Sequence, residues 1–434
     1  MIRKFVGRKQ ELGYLNEQYK KGSFQNIIIW GRRRVGKTAL ALQFMKDKPG
    51  TYILLQKLPG QAQELVNRFA EENSLYPKKV DSFSEAFTFI KENISGSYII
   101  ALDEFPYLIG AQKGILSEFQ AIVDSILQDS QIFLMILGSS ISVMENEVLN
   151  YKSPMYARRT GQIRLKPFSI SELIEYFPER SMEEIIEIYG IFDSIPAYLT
   201  FISSSSVLDN VKENILRKES FLFEEVNFLL NQELREPSKY RAILKAVANG
   251  KQRVTEIANE TGISQNTLTK YIDALLSLHI LYRKHPVTEK ELSRNTIYEF
   301  SDNFFRFYFR FIYPSLTLLE KGSSDTVYKD IRNHLPAYLS RPFEEVCIDY
   351  LLKTEKYKKA GPYWKRGTEI DIIALGEKNL IAECKYKAGV SYEKEIEYLK
   401  QKKAPVEGEY QIFAKSFKSK KGIDLKGLYS LFAG

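Results

Sequence analysis

Residues Ile27 to Leu40 read IIIWGRRRVGKTAL, an apolar run that passes directly into glycine, three arginines, a second glycine and Lys-Thr. Gly31-x-x-x-x-Gly36-Lys37-Thr38 has the spacing of a loop that folds around phosphate. Glycines let successive backbone N–H groups turn inward, and a following helix points its positive end at the anion. Gly31, Arg34, Val35 and Gly36 are therefore expected to present loop backbone to a nucleotide, with Lys37 on the β- and γ-phosphates and the Thr38 hydroxyl on Mg²⁺. A glycine-rich turn with no ligand would share the pattern. The strand expected from Asn26 to Trp30 and the helix from Thr38 to Met45 favour the nucleotide, and with it ATP and Mg²⁺ as cofactors. The side chains of Arg32, Arg33 and Arg34 read as a solvated basic rim.

Holding a nucleotide is not hydrolysing it, which also requires a metal anchor and a group that positions water. Asp103 and Glu104 follow the apolar run YIIAL, so Asp103 is placed to order Mg²⁺ through water and Glu104 to polarise the attacking water. The next apolar run ends in Gly138-Ser139-Ser140, whose hydroxyls can bond the lytic water or the γ-phosphate. Arg158 and Arg159 are offered as charge stabilisers for the transferring phosphoryl, within the chain or toward a neighbour.

A second constellation lies near the C-terminus. Asp371 in EIDII and Glu383-Cys384-Lys385 in LIAECKYK have the spacing of a PD-(D/E)xK nuclease site. Two carboxylates from adjacent strands can hold Mg²⁺ against a phosphate, and Lys385 shares a face with Glu383 because strand side chains repeat every second residue. Glu344 or Glu345 on a preceding helix would complete the cluster, and Trp364, Lys365 and Arg366 are placed to touch a nucleic-acid backbone. Solvated charges on an alternating strand would look the same, so catalysis and an inactive scaffold both stay open.

These residues need elements to carry them. Short β-rich runs from Thr51, Ser97, Ile132 and Gln162 alternate with helical segments, which implies a parallel sheet covered on both faces over residues 1–168. Ser169-x-x-Glu172 is a capping box with Phe168 and Leu173 as its staple, and it opens a helical lid over 169–235. The run SSSS at 203–206 reads as a helix-start loop. Over 236–315, three helices and two short strands make a winged helix-turn-helix pattern. Its third helix, capped by Ser264, buries Leu268, Tyr271, Ile272, Leu275 and Leu278 and leaves Gln265, Asn266, Thr269 and Lys270 outside. FFRFYFRFIYP, from Phe304, is apolar on all sides and reads as a buried helix with Arg306 and Arg310 as its wet edge. Residues 316–434 form a second, smaller α/β unit.

The chain of 434 residues exceeds one ordinary core, and 44% hydrophobic with 27% charged residues is a globular composition. A net charge of +8 suggests a polyanionic partner such as DNA, although many metabolic enzymes are equally basic. Two cysteines and three scattered histidines exclude a Cys/His zinc site and a disulfide framework. No run has the length of a signal peptide or membrane span, so the expected location is the cytoplasm, with no membrane partner.

Taken together, FVGRKQEL, GRRRVGKT, IALDEFPYL, LGSS, RRTGQIRLKPF and Pro196-Ala-Tyr-Leu resemble the archaeal-type ATPase family, which is related to the STAND signalling ATPases. The resemblance implies an α/β P-loop sheet of the additional-strand type with a helical lid, a winged helix and a C-terminal restriction-endonuclease-like α/β domain. It also implies that Val6, Gly7 and Arg8 line the adenine pocket. Where such lids commonly read Gly-Gly-x-Pro, this chain has Asp193-Ser194-Ile195-Pro196. The expected function is an ATP-driven switch coupled to DNA binding and to metal-dependent cleavage; the alternative is a regulatory ATPase, with protein partners or self-association and an inactive nuclease-like scaffold. A P-loop kinase would leave the acidic pair and both C-terminal regions unexplained.

Overall fold

The computed structural model describes residues 5–290, 293–365 and 367–434. They form two compact units, Met1–Pro167 and Phe168–Gly434.

The first unit is built on five parallel strands: β1 (Gln25–Trp30), β2 (Gly50–Leu54), β3 (Tyr98–Asp103), β4 (Ile132–Gly138) and β5 (Gly161–Arg164). Their spatial order is β2-β3-β4-β1-β5, so β4 stands between the strand that leads into the phosphate loop and the strand that carries the acidic pair. Strands β1, β3 and β4 are buried along their whole length, which is why they read as unbroken apolar runs and not as alternating ones. Pairing of Ile136 with both Ile28 and Leu102 puts the three strand ends level. Residues just past those ends, Gly31, Glu104 and Ser139, are thereby brought to one edge of the sheet.

In the second unit the Ser169 and Ser181 capping boxes open the helices Ile170–Tyr176 and Met182–Phe192. Ser206, the last of the four serines, caps Val207–Asn214. Further on come the helices Pro237–Ala248, Val254–Thr261 and Gln265–Ser277, then an antiparallel hairpin of β6 (Leu281–Lys284) and β7 (Ile297–Phe300). Leu268, Tyr271, Ile272 and Leu275 are buried while Gln265, Asn266, Thr269 and Lys270 are exposed. The Ser264 hydroxyl makes no cap; it donates to the Thr267 hydroxyl at 3.0 Å.

Phe304 to Ile312 is buried as its composition demands, with Arg310 exposed. Arg306 does not share that wet edge. It is 8% exposed and donates to Glu345 (2.8 Å) and to the Asn303 side chain (2.5 Å), because the polar groups that satisfy it come from its own first turn and from a helix 39 residues on.

The C-terminal sheet contains β8 (Tyr357–Lys365), β9 (Thr368–Gly376), β10 (Leu380–Lys385) and β11 (Glu409–Ala414) in the order β11-β10-β9-β8. Pairing is antiparallel except between β10 and β11, which the helix Tyr392–Gln401 connects. One apolar core runs through all of the second unit, from Leu173 past Leu268 and Phe305 to Phe343 and Phe413. No helix among the described residues is long and apolar enough to cross a membrane.

Candidate functional site

At the end of β1 the chain turns through Gly31, where a Cβ would lie 2.3 Å from the Leu165 carbonyl oxygen, so only glycine fits. Arg34 and Gly36 both adopt left-handed conformations (φ 72° and 95°) as the loop closes onto the helix Lys37–Met45. Val35 is fully buried in the core and offers the loop only its backbone. Lys37 is 6% exposed, and its ammonium donates to the carbonyls of Gly31 and Arg32, each at 2.9 Å. Burial pushes its pKa down to about 8, with Glu104 and Asp103 pulling the other way.

Asp103, 1% exposed, accepts from the Thr38 hydroxyl at 2.5 Å, from the Tyr52 hydroxyl at 2.9 Å and from the Glu104 N–H at 2.8 Å. Tyr52 is the contact that sequence reading missed. It sits on β2 beside the acidic strand, and burial followed by Asp103 keeps its hydroxyl protonated. Glu104 is in the left-handed region (φ 55°), strain that turns its carboxylate toward β4. There the Ser139 hydroxyl lies 2.7 and 2.6 Å from its two oxygens.

The residues present fit Mg²⁺ and a polyphosphate. Thr38 and Asp103 already meet at the mouth of the loop, the ammonium of Lys37 is buried among backbone carbonyls, and nothing lies within 4 Å of where a Gly36 Cβ would be.

Arg8 is placed differently from the expected base-pocket lining. Its guanidinium is 4% exposed and donates to the carbonyls of Val35 (2.9 Å) and Lys166 (2.8 Å), while Val6 and Gly7 beside it are half-buried. The basic rim is also partly engaged, since Arg33 reaches the Tyr107 hydroxyl at 3.5 Å.

Arg158 and Arg159 lie at the other end of the sheet. The Arg158 carbonyl accepts from the side chain of Asn26, at the start of β1, and its guanidinium grips Asp124 at 2.9 and 3.1 Å. Arg159 donates to the Leu149 carbonyl and covers the Tyr156 ring. A strand of five or six residues separates them from the phosphate loop, roughly 17–20 Å, which corrects the expectation that they act within this chain.

In the C-terminal sheet, Asp371 accepts from the Cys384 N–H at 2.8 Å, and Glu383 is held by Lys385 (2.9 Å) and Lys402 (2.7 Å). Burial, then Glu383, raises Asp371 to about 6; burial, then Asp371, raises Glu344 to about 7. Glu345 turns instead to Arg306. Among the described residues no group of three His, Cys, Asp or Glu side chains is spaced to hold a metal ion, although the charge of Glu383 acts on Asp371 and that of Asp371 on Glu344.

Glu344 and Asp371 line one cavity with Tyr282, Lys284 and Arg341, so the β6 segment stands against this face. The indole N–H of Trp364 donates to the Asn295 carbonyl and Lys365 pairs with Glu289 at 3.0 Å. Both thus have partners inside the chain; Arg366 lies outside the described residues.

Residues 5–202 match the family described as an ATPase domain predominantly from Archaea, and residues 308–404 match a family of archaeal and bacterial proteins of unknown function. An uncharacterized protein of Methanocaldococcus jannaschii is 39% identical over 396 residues, 88% of each chain. An otherwise uncharacterized ATP-binding protein of the same archaeon is 46% identical over 44 residues, 10% of this chain and 75% of that one. The Walker-type ATPase of Pyrococcus abyssi shares the fold with a TM-score of 0.51 at 20% identity, covering 70% of this chain and 96% of that chain. With phosphate loop, acidic pair and polar strand end meeting at one sheet edge, the chain belongs to the archaeal ATPase family in which an ATP-binding P-loop domain is followed by this C-terminal region of unknown function.

Proposed function

We propose that the protein is a Mg²⁺-dependent ATPase that works in the cytoplasm as a nucleotide-driven switch coupled to DNA binding. The observation that carries the hydrolytic part is the meeting of Thr38 with Asp103 and of Glu104 with Ser139 at the level ends of β1, β3 and β4. Lys37 offers a buried ammonium that exchanges loop carbonyls for phosphate oxygens. Bound Mg²⁺ supplies neutralisation of the phosphate oxygens as charge develops. Glu104 acts on the lytic water: one hydroxyl proton from Ser139 serves one carboxylate oxygen at a time, and the other oxygen accepts from water.

The DNA part rests on the exposed polar face of Gln265–Ser277 and on the net charge of +8. It is the third of three helices that precede the β6–β7 hairpin, an order that supports the winged-helix reading, in which it is the recognition helix. For the C-terminal domain the scaffold reading is favoured over cleavage. Its strand order suits a nuclease-like fold, but the paired Glu383 does not suit a metal.

The test is ATP turnover by the full chain with Mg²⁺, with EDTA, and with added duplex DNA. Turnover that stops in EDTA and changes at least about threefold with DNA at low salt is expected. Turnover indifferent to DNA, with no DNA binding at low salt, would refute the coupling.

A further inference from the structure

The phosphate loop and the point where the chain leaves the first unit are packed as one piece. The Leu165 N–H donates to the Trp30 carbonyl at 2.8 Å, and the Leu165 carbonyl lies so close to Gly31 that no side chain fits between them. One nitrogen of Arg8, Nη2, spends its two hydrogens on Val35 in the loop and Lys166 in the exit segment. The planar fork of an arginine can make both bonds from a fixed position, which a lysine cannot reproduce.

One residue separates Lys166 from the second unit, which starts at Phe168. The Phe168 N–H donates to the Ser194 carbonyl at 2.9 Å. Beside Ser194, Asp193 has a backbone conformation (φ 60°, ψ −169°) that suits glycine. Here the aspartate uses its position: its carboxylate accepts from the Ser194 N–H at 2.5 Å and from the Asn303 N–H at 2.8 Å. Asn303 begins the buried helix Asn303–Phe307, whose Arg306 reaches Glu345. Hydrogen bonds thus tie Lys166 to the phosphate loop within the first unit and Phe168 to the core within the second, and the backbone through Pro167 joins the two.

We infer that this path transmits nucleotide state, with Arg8 as the positioning residue on the loop side and Asp193 as its receiver. The inference rests on the ATPase reading for the binding event, and it assigns Arg8 a task other than base recognition. The decisive evidence is a response that travels along the path.

The experiment is hydrogen exchange of the full chain with and without a non-hydrolysable ATP analogue and Mg²⁺. In the wild type, exchange at 165–168, 193–195 and 303–306 is expected to slow at least about fivefold on binding. Arg8→Lys is expected to bind the analogue within about threefold of wild type and to lose that response, a loss that a merely structural role would not produce. Asp193→Gly suits the local backbone and removes the carboxylate. It is expected to keep the response at 165–168 and lose it at 303–306.

A full response in Arg8→Lys that binds the analogue would overturn the inference, as would wild-type binding with no change at 165–168. If Arg8→Lys does not fold, the wild-type and Asp193→Gly profiles decide alone: a response at 303–306 that survives Asp193→Gly overturns the path. Failure of the wild type to bind the analogue would instead overturn the ATPase reading, and the inference with it.

Discussion

Lys37 shows at the scale of one residue how burial sets a task. Its pKa stands at about 8, against 10.5 for an ordinary lysine, because desolvation outweighs the attraction of Glu104 and Asp103. Between those two values the folded, nucleotide-free protein holds fewer protons than the unfolded chain, so this group makes stability rise with pH across that window. ATP affinity has the opposite dependence, since the phosphates need the ammonium. Affinity measured by equilibrium titration is expected to fall as pH rises from about 7.5 to 9.5 and to stay flat in Lys37→Arg. Asp371 has the reverse sign. Raised from 3.8 to about 6, it holds its proton in the folded state where the unfolded chain has lost it, so its stabilising contribution is full below 3.8 and lost as pH passes about 6. Asp371→Asn should therefore melt higher than wild type at pH 7 to 8, and the two should converge near pH 4, as thermal melts at each pH would show. The positions of Lys37, Thr38, Asp103, Glu104 and Ser139 were legible in the sequence because the first two open the helix after the phosphate loop and the others stand at strand ends. Arg158, Arg306, Trp364 and Lys365 were not, since their partners Asp124, Glu345, Asn295 and Glu289 lie 34 to 76 residues away and no local pattern announces them.

Among the elements, the helix Gln265–Ser277 carries the DNA proposal. Lys270 is exposed on it, whereas Arg283 on β6 is engaged by Asp273 at 3.0 Å. Lys270→Ala is expected to lower the slope of log affinity against log salt by about one, the loss of a single phosphate contact. Asp273→Asn, which frees Arg283, is expected to raise that slope and tighten binding. A salt titration of both variants checks this, and unchanged slopes would point to protein packing as the role of the helix. Elements with a clean period were read directly from sequence; β8 was not. Its sequence YKKAGPYWK carries Gly361-Pro362 in the middle and is paired with register shifts on the outer side of β9. Proline is tolerated there because an edge strand has one unpaired side, and the alternation that marks a strand is broken by the bulges.

The second unit behaves as one body in its packing. Val287, from the loop between β6 and β7, is 4% exposed in the core of the C-terminal sheet, and its N–H donates to Pro362 at 2.9 Å. Val287→Ala is expected to cost about 2 kcal/mol through two lost methyl-sized groups and the space they leave. Calorimetry should show the cost as a downward shift of a single transition for residues 168–434; a separate early transition for the hairpin region would contradict a shared core. The proposed hydrolysis depends on the sheet edge of the first unit, where Glu104 is the group proposed to act on water. The most direct measurement is single-turnover hydrolysis of Mg²⁺-ATP by wild type and by Glu104→Gln at saturating protein. The account predicts nucleotide affinity within a few-fold of wild type and a rate lower by about 10²-fold or more. Equal rates in the two proteins would contradict it.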